Sequence, residues 1–302
     1  MDNIYILEAR KRFHQRLIES GIWMVDKDGV PSNADVGDRK KVQKTKTYNI
    51  STQIAREMAT IIGVPQIAAD KKKGTSAGNQ FEDLVAQFVQ ETFPALQHLR
   101  PGTWSVLGLG NQNAIKASSF AQYEHLDYLS ELVRMNGKLQ TVLGNDYVIA
   151  PDVVVYRDLY EDEAINFGQI FINDDICKKA ALRKKNGGKP ILHASISVKW
   201  TMRSDRAQNS RTEALNLIRN RKGNLPHIMV VTNEPLPSRL ASLALGTGDI
   251  DCLYHCALYE LQASVQKFSE ENNREDLAEM IENLIEGRRL KDISDLPLDL
   301  SV

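Results

Sequence analysis

Between Ile191 and Trp200 the chain alternates, with His193, Ser195, Ser197 and Lys199 at one set of positions and Ala194, Ile196, Val198 and Trp200 at the other. A period of two is that of a β-strand, so the pattern predicts a strand with Lys199 on its polar face and Trp200 on its apolar one. The run "DYVIAPDVVVYRD", Asp146 to Asp158, predicts a second strand broken at Pro151, because proline removes a ladder donor. "HIMVVTN", His227 to Asn233, reads as a buried third strand.

Helical spacing appears elsewhere. Residues Ile6 to Ser20 form an amphipathic stretch, and in "TSAGNQFEDLVAQFVQETF" the positions Phe81, Leu84, Val85, Phe88 and Val89 recur on one helical face, with Ser76 as the candidate N-cap. Further helices are predicted over Ala207 to Asn220, in the long apolar stretch after Leu240, and over Ala278 to Leu284. Turn residues dominate "DKDGVPSNADVGDRKKVQKTKT", from Asp26, and "EPLPSR", from Glu234. Residues 158–190 carry an acidic patch and a Gly-Gly turn, and are expected to be an inserted helical excursion. Strands embedded among helices predict one α/β domain over residues 1–302 with a buried central sheet.

The chain has 302 residues, of which 42% are hydrophobic and 25% charged, as in an ordinary globular protein. No uncharged apolar run approaches the ~18 residues that span a bilayer, so no membrane partner and a cytoplasmic location are expected. Cys177, Cys252 and Cys256 form no CxxC. The spacing of Cys252 and Cys256 reads as one helix face, but His255 lies off it and a fourth ligand is missing, so buried free thiols are preferred to a zinc site.

The formal net charge is only −1, yet its distribution is uneven. From Lys199 to Lys222 seven Lys and Arg face only Asp205 and Glu213, whereas from Glu260 onward eleven Asp and Glu outnumber five Lys and Arg. One face can therefore meet an anion while the other end keeps the total near neutral. "RSDR", Arg203 to Arg206, directly after a strand is denser than a solvated helix start needs, and points to DNA.

Asp152 and Lys199 are the candidate chemical pair. Two neighbouring strands would bring a carboxylate beside an ammonium, where a hard divalent cation such as Mg2+ could polarise a phosphoryl group. Lys199 would orient a water and offset transition-state charge. One carboxylate makes a poor magnesium site, and two residues before the lysine stands Ser197, which has no charge. Glu213, placed near the start of the following helix, and Glu82, on an earlier one, are the candidate substitutes.

Taken together, "PD" at Pro151-Asp152, "SVK" at Ser197–Lys199, "RSDR" and Glu213 resemble the CCGG family of type II restriction endonucleases, within the PD-(D/E)xK nucleases. The resemblance extends to "PSNAD" at Pro31–Asp35, "LQHLRPG" at Leu96–Gly102, "LNLIRNRKG" at Leu215–Gly223, "ALGTGDIDCLYH" at Ala244–His255 and "RLKDISDLPLDL" at Arg289–Leu300. It implies a restriction-endonuclease-like α/β core, a central mixed β-sheet flanked by helices. It implies that Asp152, Glu82 and Glu213 bind metal, two Mg2+ per active site, and that Lys199 and Ser197 complete the catalytic group. Arg203 and Arg206 would read the guanines of CCGG, Asp205 the cytosine amino groups, and Arg239 the outer guanine. Such pairings suit the donors and acceptors of a G·C major-groove edge. The implied target is double-stranded GCCGGC, cut after the first G through in-line attack by a metal-activated water, with no covalent intermediate. A homotetramer of two back-to-back dimers and a companion DNA methyltransferase are implied as well. "VGDRK" and "KKKGTSA" depart from the family's minor-groove segments, so no residue is assigned there.

Two other readings use the same residues. Ser197 and Lys199 could form a Ser-Lys hydrolytic dyad, although no Gly-rich oxyanion turn flanks the serine. A sequence-specific DNA-binding regulator would keep "RSDR" but has no use for a converging Asp152 and Lys199.

Overall fold

The computed structural model describes residues 4–35, 49–67, 74–108, 116–136, 138, 151–246 and 248–302. The part of the predicted strand before Pro151, the basic cluster after Asp35 and the first residues of "KKKGTSA" lie outside them.

Helix α1 (Tyr5–Glu19) and α2 (Ile50–Ile62) precede α3 (Gly74–Thr92). Strand β1 (Trp104–Gly108), helix α4 (His125–Met135), β2 (Val153–Arg157) and β3 (Ile191–Lys199) follow. Then come α5 (Ser204–Asn220), β4 (His227–Thr232), α6 (Pro237–Ala244), β5 (Cys252–His255), α7 (Leu258–Asn272), α8 (Glu275–Glu286) and β6 (Leu290–Asp292). The expected helices at 6–20, 75–93, 207–220 and 278–284 are all present, and α3 begins before Ser76, which therefore lies inside the helix rather than capping it.

Among the described residues six strands form one sheet in chain order, β1 to β6. β1, β2 and β3 run antiparallel, whereas β3, β4, β5 and β6 run parallel. The sheet is thus mixed and flanked by helices, the α/β architecture expected. Its topology has a direct consequence: the start of β2 and the ends of β3, β4 and β5 open on the same edge, where residues distant in sequence meet.

Both faces of β3 are buried, including the one expected to be polar. On one side Ala194, Ile196, Val198 and Trp200 pack with Phe81, Val85 and Phe88 of α3, and Phe81 meets Trp200 edge-on at 5.0 Å between ring centroids. On the other, Val154 and Leu192 pack with Ala214 and Leu217 of α5. A bulge makes this possible: Val155 pairs with Ala194 but Tyr156 with Leu192, leaving His193 as the extra residue. His193 is thereby taken out of line with Lys199 and lies against Phe93 and Trp104, its Nε2 2.7 Å from the Leu300 carbonyl. Burial pushes its pKa down to about 4, in keeping with a satisfied sheet histidine.

Four local expectations are corrected. The excursion over 158–190 holds a one-turn helix, Asp162–Ile165, and a 3-10 turn, Lys184–Asn186, and is tied by the buried Arg183 to Asp162 and Asp174. "EPLPSR" is not simply a turn, because Pro237 opens α6 and places Arg239 in its first turn. Cys252 belongs to a strand, so the four-residue interval to Cys256 is not a helix face. Cys252, His255 and Cys256 are buried, and both thiols are free. Finally, Glu213 lies in the middle of α5, because that helix begins at Ser204.

The β6 side of the sheet is held by charge. Arg10 of α1 donates to Asp292 at 2.8 and 2.9 Å and to Glu260 at 2.9 and 2.6 Å, and Asp292 is fully buried. Asp292 also accepts from the backbone N–H of Leu258 and Ser294, so Arg10 and these donors compensate its burial.

Candidate functional site

β2 and β3 are paired with Val153 opposite Ile196, so Asp152, one residue before β2, comes level with the end of β3. Its Oδ2 accepts from the backbone N–H of Val198 at 2.7 Å and pairs with the Lys199 ammonium. Ser197 Oγ lies 3.4 Å from the same oxygen and 3.1 Å from Ser210 Oγ. The two residues that the sequence put together are therefore in contact. Pro151 cannot donate to a ladder, and among the described residues β2 begins at Val153, so the Asp152 side chain turns across to the end of β3.

Two more carboxylates share this environment. Glu213 of α5 lines a tightly packed junction with Ser195, Ser197 and Ser210, and its Oε1 is buried without a hydrogen-bond partner. Burial first, then the negative charge of Asp152, pushes the Glu213 pKa up to about 8, against the attraction of Lys199. Glu82, next to the core residue Phe81 on α3, rises to about 7 for the same two reasons in the same order. Glu82 approaches from one face of the sheet and Glu213 from the other.

Three carboxylates against one ammonium leave a formal excess of two negative charges. The donor set consists of oxygen atoms, one of them an orphaned buried acceptor, and such a set suits a hard divalent cation. Among the described residues no three His, Cys, Asp or Glu side chains converge into a closed ligand cage, and Lys199 holds Asp152 instead. The residues fit a divalent ion in chemistry and charge, with Asp152, Glu82 and Glu213 as the groups that would hold it.

The Ser-Lys dyad finds no support here. Ser197 is 5% exposed, and its hydroxyl is engaged with Ser210 and Asp152 rather than with Lys199. A nucleophile needs both access and its base.

The candidate reading residues lie on the same edge. Arg203 caps α5 in extended conformation with a 61% exposed side chain, and Asp205 stands exposed in the first turn. Arg206 is half-buried, its Nη1 3.2 Å from Thr201 Oγ1 and 3.3 Å from the Thr201 carbonyl. Arg239, from α6, pairs with Asp35 through Nη2, and the other Asp35 oxygen lies 3.7 Å from Arg203 Nη2. One carboxylate thus joins two of the candidate readers across the site.

Asp35, Ser210 and Glu234 were given no role from the sequence. The signal for Asp35 is the run "PSNAD" that ends on it. Glu234 offers a weaker one, a carboxylate two residues after a largely buried strand, which must find a partner.

Comparison with known proteins gives a consistent result. A family model described as "NgoMIV restriction enzyme" matches residues 13–302. The chain is 45% identical over 300 residues to "Type II restriction enzyme NgoMIV" of Neisseria gonorrhoeae, covering 99% of this chain and all of that protein. Among solved structures, "Restriction endonuclease PspGI-substrate DNA complex" aligns over 87% of this chain and 94% of that one at 14% identity, with a TM-score of 0.24, too low to bear on the fold.

Proposed function

The chain belongs to the NgoMIV restriction enzyme family, and on that premise we propose that it is a Mg2+-dependent endonuclease that recognises GCCGGC in double-stranded DNA and cuts after the first G. The observation that carries the chemical part is the contact of Asp152 with Lys199 inside the field of Glu82 and Glu213.

In this reading Asp152, Glu82 and Glu213 hold the metal, with two ions in each active site. When bound, Mg2+ supplies Lewis-acid polarisation of the phosphoryl oxygens and neutralises their charge. Glu213 and Glu82 are then ionised, since a cation reverses the repulsion and desolvation that raise their pKa values. Lys199 Nζ, released from Asp152, faces the scissile phosphate and offsets charge that develops in the transition state. Ser197 contributes no charge. Its hydroxyl joins α5 to the end of β3 through Ser210, which fixes Glu213 relative to Asp152.

Arg203 and Arg206 are assigned to the guanines of CCGG, Asp205 to the cytosine amino groups and Arg239 to the outer guanine. An arginine presents two parallel N–H donors to guanine O6 and N7, and a carboxylate accepts from cytosine N4. The support is their common edge, adjacent to the Asp152–Lys199 pair, with Arg203 and Asp205 exposed. Asp35 pre-orients the forks of Arg203 and Arg239 before DNA arrives.

A palindromic target calls for a two-fold arrangement of readers, and the proposed assembly is a homotetramer of two such dimers. Supporting it, the excursion over 158–190 exposes Phe167 by 88% and Ile170 by 80%, with Phe171 and Ile176 also exposed. A companion methyltransferase acting on the same sequence completes the system.

The deciding experiment is digestion of a fully sequenced phage DNA with and without Mg2+, with the fragment ends mapped. Ends at G/CCGGC that vanish in chelator are expected. Cutting elsewhere would overturn the target, cutting in chelator the metal dependence, and intact DNA would leave only a non-catalytic binding protein.

A further inference from the structure

Glu234 has no exposed surface, although it carries a carboxylate and immediately follows Asn233 at the exit of β4. Its Oε2 accepts from the backbone N–H of Met202 at 2.7 Å, and its Oε1 accepts from that of Leu236 at 3.2 Å. Met202 is the residue before Arg203, and Leu236 precedes the helix that carries Arg239. Arg239 Nη1 lies 3.5 Å from Oε2. The remaining links close a ring: Arg239 Nη2 pairs with Asp35, and Asp35 reaches Arg203.

We propose that Glu234 is a specificity-determining positioning residue, a buried carboxylate that locks the segment leading into Arg203–Arg206 to Arg239 so that the inner and outer base pairs are read by one rigid unit. The proposal rests on the assignment of these arginines to base reading given above.

The chemistry favours positioning over mere stability. Burying a carboxylate is costly unless it is well compensated, and an amide would avoid that cost, but with a single acceptor oxygen it would keep only one of the two backbone N–H bonds. What an amide cannot do is anchor a guanidinium by charge. Guanine takes two of the five N–H donors of arginine, which leaves the nitrogen nearest Glu234 free to stay anchored while the outer edge of the fork meets the base. Asp35, half-buried on the open side, lies where the DNA would approach. Glu234 lies beneath, where a duplex does not reach. With Glu234 in place a fork that has lost its Asp35 contact keeps its direction, and an inner-base mismatch that shifts Met202 also shifts Arg239.

The test measures equilibrium binding and cleavage on short duplexes containing GCCGGC, ACCGGT (outer pair changed) or GCATGC (inner pairs changed), with wild type, Arg239→Ala, Glu234→Gln, Glu234→Asp and the Arg239→Ala/Glu234→Gln double variant. Glu234→Gln is expected to lose about ten-fold in its preference for GCCGGC over ACCGGT, with KM rising more than kcat falls. Glu234→Asp, which keeps the charge, should lose less, and the double variant should discriminate no worse than Arg239→Ala alone. If wild type and Arg239→Ala choose equally between the two duplexes, the base-reading assignment falls and this inference with it. If those two differ as expected while Glu234→Gln discriminates like wild type, or if the two losses simply add, the inference alone is overturned. A measurement independent of folding of the variants is hydrogen exchange of the Met202 amide in the wild-type protein. Protection is expected, and exchange at the rate of an open loop overturns the proposal.

Discussion

Lys199 and Asp152, separated by 47 positions in the chain, meet at the edge of the sheet, where the ammonium and the Val198 backbone N–H share the same carboxylate oxygen. The pair is half-shielded from solvent and flanked by two carboxyl groups whose protons are held more tightly than usual. Removal of either partner therefore affects charge balance, not only a contact.

Asp152→Ala and Lys199→Ala should each lower the cleavage rate by at least about 100-fold, the range for loss of a group that stabilises transition-state charge. Specific binding should persist. Single-turnover cleavage beside a gel-shift assay separates the two, and near-normal cutting by either variant would remove that residue from the active site.

The raised carboxyl groups predict a pH-dependent stability in chelator. A group whose folded pKa lies above its unfolded value binds its proton more tightly when folded, so its stabilising effect is complete below the unfolded value and is lost as pH rises through the folded one. For Glu213 and Glu82 that window runs from about 4.5 to about 8 and about 7 respectively. The metal-free protein should thus melt at lower temperature in alkaline buffer than near pH 5 (roughly, the lower limit of that window). Glu234, raised to about 7, acts in the same direction, so the informative comparison is with Glu213→Gln, whose profile should be flatter. Calorimetric profiles of equal slope would contradict the environment assigned to Glu213. Added Mg2+ should stabilise the wild type most at the alkaline end.

Arg203→Ala and Arg206→Ala should each cost ~1–3 kcal/mol in affinity for the specific duplex and much less for random DNA. Equal weakening on both would mean that these side chains touch only phosphate.

Arg239→Ala should relax selection at the outermost base pair while the inner four remain selected. Competition binding among duplexes that differ only at that pair reads this directly. Unchanged selectivity there would assign Arg239 to its ion pairs with Asp35 and Glu234 alone.

Three strands across the sheet from Lys199, Arg10→Ala should destabilise the fold by ~3–5 kcal/mol, because it strands the buried Asp292 carboxylate without its counter-charge. Denaturant unfolding measures this, and a change below about 1 kcal/mol would place the network among ordinary surface pairs.

How much of this was legible in the chain differs by element. The alternation of β3 and the helical stretches of α1, α3 and α5 are readable because each pattern depends on residue type along one element. β1 and β6 were not, being five and three residues long, too short to display a period. β5 reads as helix in the sequence because the spacing of Cys252 and Cys256 matches a helix face, and a parallel strand buried on both faces shows no clear alternation. The one-residue bulge at His193 is invisible in the sequence, yet it places Leu192 rather than His193 on the face beneath α5.

By itself the chain determined the chemical inventory and its local order: a carboxylate after a proline, a lysine at the end of a strand, and an arginine-rich helix start. Those depend on residue type and near neighbours, which a linear string records in full. Only the tertiary structure decided that Glu82 and Glu213 approach Asp152 from opposite faces of the sheet, and that Asp35 and Glu234 clasp Arg239. The reason is that Coulomb energy and desolvation depend on distance through space and on what excludes water, and the fold sets both by bringing residues 35, 82, 152, 199, 213, 234 and 239 to one edge.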